Sequence, residues 1–428
     1  MPAHLASMLI CGATIAAILL GKTHRTIAAL VGACVMVVVG MGMGFYSQQE
    51  ALASIDFNTL GLLLGMMILV SILSRTGFFE YLAILTAKKS RGNPWYLMVI
   101  LGSITTVLSL FLDNVTTIVL IAPVTILVAQ ILGISPVPFL MAEALLSDTG
   151  GVATLVGDPP NVMIGAASGL GFNDFLIHLG PVVFVVWFVV LLLLRFLFRR
   201  ELAQKPSNVE ALMAMDEGAA VHDWKSLIRT AIVLAGVIVL FFLHQWLHLT
   251  PAFVALFGAS VALLWVQPDV DQVLKDVEWS VLLFFAALFV TVGGVEASGL
   301  LGLVAEQVTA LTAQNLLLAG IALIWIAALI SAVVDNIPFT IVMIPVIQNL
   351  GAAGVNINPL WWALALGAGF GGNGTPIGST ANVVTIAISE RTETPITTRV
   401  WMRVGLPVML VACAVGTVFY ILTFGFMQ

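Results

Sequence analysis

Twice in this chain, glycine, proline, threonine and asparagine interrupt long apolar sequence with the same spacing. Gly151, Thr154, Gly157 and Asn161 read G-x-x-T-x-x-G-x-x-x-N in GVATLVGDPPN, and Gly372, Thr375, Gly378 and Asn382 repeat it in GNGTPIGSTAN. In hydrocarbon the backbone has no water to bond, so opened backbone survives only where it is buried in protein or lines a cavity. Each copy therefore reads as a helix opened on purpose, and the pair as a duplication.

The surroundings of the two copies define the solvent. Of 428 residues, 60% are hydrophobic and 9% charged, with a mean hydropathy of +1.11, outside the range of soluble domains. Unbroken apolar runs such as Pro181 to Leu194 suit helices and exclude a porin-like barrel, whose strands alternate. The net charge of -6 says little about partners, and nothing points to nucleic acid. No Lys or Arg precedes the first apolar run, Leu5 to Leu20, unlike a cleaved signal peptide. Cys11, Cys34 and Cys413 fall one per apolar segment, in no zinc or disulfide spacing, so neither a metal centre nor a cofactor is expected.

At roughly 20 residues per crossing, spans fall near 5–21, 26–44, 58–75, 139–171 and 180–198, then near 228–247, 251–267, 279–297, 359–389 and 402–425. Hairpins lie at 95–133 and 316–351. ITTVLSLFLDNVTTIVLIAPV from Ile104 aligns with IAALISAVVDNIPFTIVMIPV from Ile326, placing Ser109 over Ser331, Asp113 over Asp335, Asn114 over Asn336 and Pro123 over Pro345. The expected domains are a first repeat, 1–198, a linker, 199–227, and a second repeat, 228–428. An odd number of crossings per half inverts the second copy. The expectation is an all-α polytopic membrane protein of two inverted-topology repeats, with about 10 transmembrane helices, two re-entrant hairpins and helices broken at the midplane. With the Lys22/Arg25 loop in the cytoplasm, all 16 Lys and Arg fall on that side, as the positive-inside rule requires. The chain is then expected in the plasma (inner) membrane, with both termini outside and the linker, 199–227, in the cytoplasm.

Opening a helix leaves free carbonyls on one half-helix and free N–H groups on the next. Two such openings and two Asp-Asn hairpin tips, converging near the midplane, are the way many secondary transporters build a solute site. Asn114, Thr117, Gly157, Asn161, Asn336, Thr340, Thr375, Gly378, Ser379, Thr380 and Asn382 are the candidate solute contacts. Asp113, Asp148, Asp158 and Asp335 lie in or near embedded segments with no Lys or Arg close in the topology. Such carboxyls have to be protonated, capped or paired with a cation, which makes them candidates for a coupling H+ or Na+; capping alone is the competing reading of Asp113 and Asp335. Glu143, Ser147 and Asn373 occur in one copy only and are weaker candidates.

LDNVTTIVLIAP, GDPPNV and GGNGTPIGSTANVV resemble the ion transporter superfamily, in the branch of the arsenite efflux pump ArsB and the P protein, with NhaD-type antiporters as relatives. The resemblance implies scaffold and transport regions in each half, elevator-like alternating access and a homodimer. The function it implies is proton-coupled export of arsenite or antimonite, with Na+/H+ antiport or organic or inorganic anion transport of the P protein type as alternatives, and an ion channel behind these. The partners expected are a small inorganic or organic solute, the lipid bilayer and a second copy. No G-x-x-x-x-G-K-[ST], H-E-x-x-H or Ser/Lys arrangement occurs, so the chain reads as no enzyme and no ATPase, although a soluble ATPase could associate.

Overall fold

The computed structural model describes residues 2–20, 23–300, 315–334, 336–390 and 392–427. Among these the chain is helical, without strands. The helices are α1 (Ala3–Leu20), α2 (Arg25–Met43), α3 (Gln48–Ala53), α4 (Phe57–Ser74), α5 (Phe78–Lys89), α6 (Pro94–Ser109), α7 (Asn114–Leu132), α8 (Val137–Gly151), α9 (Pro159–Ser168) and α10 (Phe172–Leu197). After a linker carrying α11 (Val209–Met213) come α12 (Trp224–Leu243), α13 (Pro251–Val266), α14 (Val270–Asp276) and α15 (Trp279–Ala297). The last are α16 (Leu316–Val334), α17 (Asn336–Ala352), α18 (Asn358–Gly371), α19 (Thr380–Ser389) and α20 (Thr398–Leu422). Among the described residues, eight helices are long and apolar enough to cross a membrane. Large apolar side chains such as Phe184, Phe196, Val239 and Leu422 stand exposed on them, as a lipid-facing surface demands.

Local chemistry sets the boundaries. Asn93 caps α6 ahead of Pro94, Asp113 caps α7, and Gly133 ends α7 in the left-handed region with φ 65°. Prolines open α9 and α13, where the missing N–H has no helical partner to lose. Pro123 and Pro345 lie inside α7 and α17 at corresponding positions.

Two bundles form. In one, α4 packs on α13 and α15 on α2, with α1, α12 and α14 beside them; in the other, α6 packs on α8, α16 on α18 and α10 on α20. The second bundle shows the inversion directly. Val137, at the start of α8, shares a cavity with Phe196 and Phe198 at the end of α10 and Val400 at the start of α20. Trp362, near the start of α18, packs on Phe175 and His178 near the start of α10, and Tyr420 near the end of α20 bonds Pro359. Since α10 has 26 residues, about 39 Å of helix, α8 and α18 enter from opposite ends of it.

Described basic residues gather at helix ends joined by contacts on one face. Arg75 pairs with Asp276, Lys88 with Glu217, and Arg229 bonds the Trp265 carbonyl, while Arg199, Arg200 and Arg403 line the cavity at Val137. Three short helices, α3, α5 and α14, have no counterpart among the expected spans, because they are too short to carry an apolar run. The span expected at 180–198 begins earlier, at Phe172, where Asp174 bonds the Gly171 N–H.

Candidate transport site

The two openings are built from the same hydrogen bonds. Between α8 and α9, the Asn161 Nδ2 donates to the carbonyls of Gly151, Val152 and Thr154 at 3.3, 3.0 and 2.8 Å. These are the acceptors that a terminated helix leaves without partners. Thr154 Oγ1 donates to the Leu110 carbonyl at the hairpin tip, and Ser109 donates to the Ser147 carbonyl at 2.9 Å. Between α18 and α19, Asn382 Nδ2 donates to Gly372 and Thr375 at 2.8 and 3.0 Å, Thr375 to Ala332, and Ser331 to Ala368. Each donor and acceptor of the second set occupies the aligned position of the first.

Glycine is required at both openings. A Cβ on Gly157 would stand 2.5 Å from the Ser109 carbonyl oxygen and 2.6 Å from that of Gly151; one on Gly378 would stand 2.5 Å from that of Gly372. Only a residue without a side chain lets these backbones approach. The hairpin tips therefore end against the openings.

The halves also reach into each other. Asn336 Nδ2 lies 3.2 and 3.1 Å from the two Asp158 oxygens, Ser379 Oγ donates to Asp148 Oδ1 at 3.0 Å, and Asn373 Nδ2 donates to Thr149 Oγ1 at 3.3 Å. In the aligned repeat Asp148 corresponds to Gly369 and Ser379 to Asp158. A Cβ built on Gly369 would lie 3.6 Å from Asp158 Oδ2. The pseudo-two-fold thus carries the Asp148–Ser379 contact onto the Gly369–Asp158 contact. Each holds one carboxyl group, and the first half supplies both, Asp148 from before its opening and Asp158 from the N-cap of α9 after it. Both aspartates are 2% exposed. Beside them the fully buried Asn373 Oδ1 and Asn382 Oδ1 meet no donor among the described residues, which leaves two amide oxygens able to accept from a cation or a hydroxyl.

Other candidates are engaged locally. Asn114 Oδ1 accepts from Ser109 and Ser147. Thr117 and Thr340 bond the carbonyls of Asp113 and Asn336 on their own helices, at 3.0 and 2.7 Å. Asp113 accepts from the Thr116 N–H at 2.9 Å and from its hydroxyl, which is the capping role. Ser379 accepts from the Ala381 N–H as well as donating to Asp148. Asp335, the aligned partner of Asp113, lies outside the described residues.

The expectation of no basic residue near the site is overturned. Arg25, first residue of α2, sends Nη1 to Thr380 Oγ1 at 2.5 Å and lies over the Phe284 ring at 5.2 Å. A guanidinium thus stands at the N-terminal end of α19, the positive end of that helix's dipole. Sequence order hid this contact, since Arg25 and Thr380 belong to opposite halves. Two cavities flank the site between the bundles. One of about 330 Å³ is lined by Met67, Ser71, Thr116, Asp276 and Glu278; the other, of about 280 Å³, by Asp56, Met163, Glu296, Pro345 and Gln348.

The chain is similar to other proteins both in sequence and in fold. The profile of the family described as citrate transporter, CitMHS, matches residues 15–367. A 46 kDa membrane protein of Mycobacterium leprae is 41% identical over 412 residues, 95% of either chain. An uncharacterized transporter of Mycobacterium tuberculosis is 42% identical over 404 residues, covering 93% of this chain and 94% of its own. The human P protein is 35% identical over 92% of this chain, which spans 57% of that longer protein. The crystal structure of the Alcanivorax borkumensis YdaH transporter superposes with a TM-score of 0.60 over 100% of this chain and 99% of its own, at 17% identity. With its paired openings, inverted bundles and these relatives, the chain is a multi-pass membrane transporter and belongs to the CitMHS citrate transporter family of the ion transporter superfamily.

Proposed function

We propose that the protein is a secondary transporter that moves a small, oxygen-rich solute by alternating access, coupled to protons. The observation that carries this reading is the interlocking of the two openings, Asn336 on Asp158 and Ser379 on Asp148, around unpartnered buried amide oxygens. Carboxyl groups so placed favour binding a cation or a proton together with the solute. A carboxylate-bearing solute is the first choice. Arg25 and the α19 N-terminus offer it positive charge, and the family description names citrate.

Export of arsenite or antimonite is the second reading, supported by the neutral amides and hydroxyls at the openings, which suit an uncharged trihydroxide. Thiol ligation plays no part in it, since the three cysteines lie on three different helices. Contacts between the two bundles run through α15 with α17, α4 with α7 and α9, and α10 with α12, a seam that suits sliding of one bundle against the other in an elevator-like movement, with a second copy steadying the scaffold. The test is flux into proteoliposomes containing this protein alone, with citrate, arsenite and Na+ each tried under imposed pH gradients. Gradient-driven citrate flux is expected. Arsenite flux without citrate flux would favour the second reading, and Na+ moving protons with neither solute transported would sink both.

A further inference from the structure

Four basic side chains at the helix ends turn to acceptors in this chain: Arg75 to Asp276, Lys88 to Glu217, Arg229 to the Trp265 carbonyl and Arg25 to Thr380. Arg199 and Arg200, after α10, and Arg403, in α20, do not. They line the cavity of about 440 Å³ beside Val137, and their guanidinium groups have no hydrogen bond or ion pair among the described residues. Glu201 lines the same cavity and pairs with none of them. A guanidinium keeps its charge at any pH the protein meets. Three of them around one space repel each other, and an anion among them relieves that repulsion.

The rest of the lining narrows the chemistry of that anion. The hydroxyls of Ser135, ahead of α8, and Thr394, ahead of α20, stand 3.5 Å apart on the cavity wall. Guanidinium and hydroxyl donors together suit the oxygens of a phosphate. One side of the cavity faces lipid. Phe188, Leu192 and Phe196 of α10 are exposed, and their spacing of four residues sets them in a stripe along one helix face. The stripe ends at the cavity, which Phe196 lines and where Arg199 lies 5.4 Å over its ring. An anion that reaches the arginines along this stripe carries an apolar tail.

The inverted repeat treats the corresponding junction differently. With Pro181 set over Pro407, Arg200 falls on Phe426, Ile177 on Arg403 and His178 on Val404. At the other face the starts of α10 and α18 and the end of α20 meet, and there the His178 ring stacks on Trp362 at 4.5 Å and on Phe426 at 4.6 Å. The same junction of three helices is thus joined by aromatic rings at one face. At the basic face it holds arginines around open space.

We propose that this cavity binds the headgroup of an acidic phospholipid, its phosphate among Arg199, Arg200 and Arg403 and its acyl chains along Phe188, Leu192 and Phe196. Basic pockets between helix ends at a membrane surface are suited to such headgroups. A zwitterionic headgroup brings its own cation to the arginines, so acidic lipid is preferred. The bound lipid joins the ends of α8, α10 and α20 and so stabilises the bundle that carries both openings.

The test titrates the full chain in detergent micelles with phosphatidylglycerol, phosphatidylcholine or inorganic phosphate, reading retained lipid by native mass spectrometry and stability by thermal unfolding. The wild type should retain phosphatidylglycerol about tenfold more tightly than phosphatidylcholine and unfold at a higher temperature with it. R200Q combined with R403Q should weaken phosphatidylglycerol about thirtyfold. E201Q, which removes the opposing carboxylate, should tighten it, a gain that a misfolded variant cannot give. K225Q combined with K275Q removes as much charge from exposed lysines outside the cavity and should leave binding unchanged. Equal retention of the two lipids by the wild type, equal weakening by the lysine and arginine pairs, or weaker binding in E201Q each overturns the proposal. Inorganic phosphate stabilising the protein as much as phosphatidylglycerol also overturns it, in favour of a soluble anion.

Discussion

Asn161 is the side chain on which the first opening depends most, and its removal makes a quantitative test. Its Nδ2 serves three carbonyls, at 3.3, 3.0 and 2.8 Å, and the residue is 1% exposed. The amide has two N–H donors to share among these three acceptors, so at about 1 kcal/mol per bond N161A costs about 2 kcal/mol. That energy falls on the local equilibrium between the ordered and the loosened opening and shifts it about thirtyfold. Asn382 serves two carbonyls, at 2.8 and 3.0 Å, so N382A costs about 2 kcal/mol and shifts the second opening about thirtyfold. Hydrogen–deuterium exchange of peptides covering 151–161 and 372–382 reads both, since amide protection reports local opening free energy. Loss of protection should stay within the substituted opening and be of similar size in the two. Protection within about threefold of wild type at 151–161 in N161A, or equal loss in both openings whichever asparagine is removed, would refute the reasoning.

Four further outcomes follow from the geometry. G157A should lose transport and cost about 1–3 kcal/mol by overpacking against backbone, whereas G236A, whose added Cβ meets nothing within 4 Å, should leave thermal stability equal or slightly higher. R25Q should weaken binding of a carboxylate solute about tenfold in a ligand-induced stability shift, leaving a neutral solute unaffected. D158N should abolish dependence of flux on a pH gradient; intact dependence would exclude Asp158 from coupling. Lys88 of α5 hydrogen-bonds Glu217 of the linker and holds its carboxyl below the usual glutamate range. The docking that this pair supports is full above about pH 4.3 and is lost as pH falls through the lowered value, so proteolysis of 199–223 should quicken only in that acid window.

The openings were legible because their causes are local. Pro159 and Pro160 remove donors, Gly157 and Gly378 admit neighbouring backbone, and Asn161 and Asn382 lie where they can turn back on the carbonyls they satisfy. Thr154 and Thr375, read as part of the motif, proved to join each opening to its own hairpin tip. The roles of Thr117 and Thr340 were less legible, since nothing in their spacing tells a hydroxyl facing a solute from one bonded to its own helix. Arg25 was misjudged because its place in the chain, at a helix start on the basic face, gives no hint that its side chain reaches Thr380.

Sequence alone therefore determined that the chain is helical, embedded, duplicated and opened at two places. In a solvent that cannot bond to the backbone, glycine, proline and asparagine leave few alternatives. Tertiary structure alone decided which groups meet across the halves: Asp158 with Asn336, Asp148 with Ser379, and Thr380 with Arg25. Those contacts join residues far apart in the chain, and they arise from how two inverted bundles pack, a relation that no local spacing records.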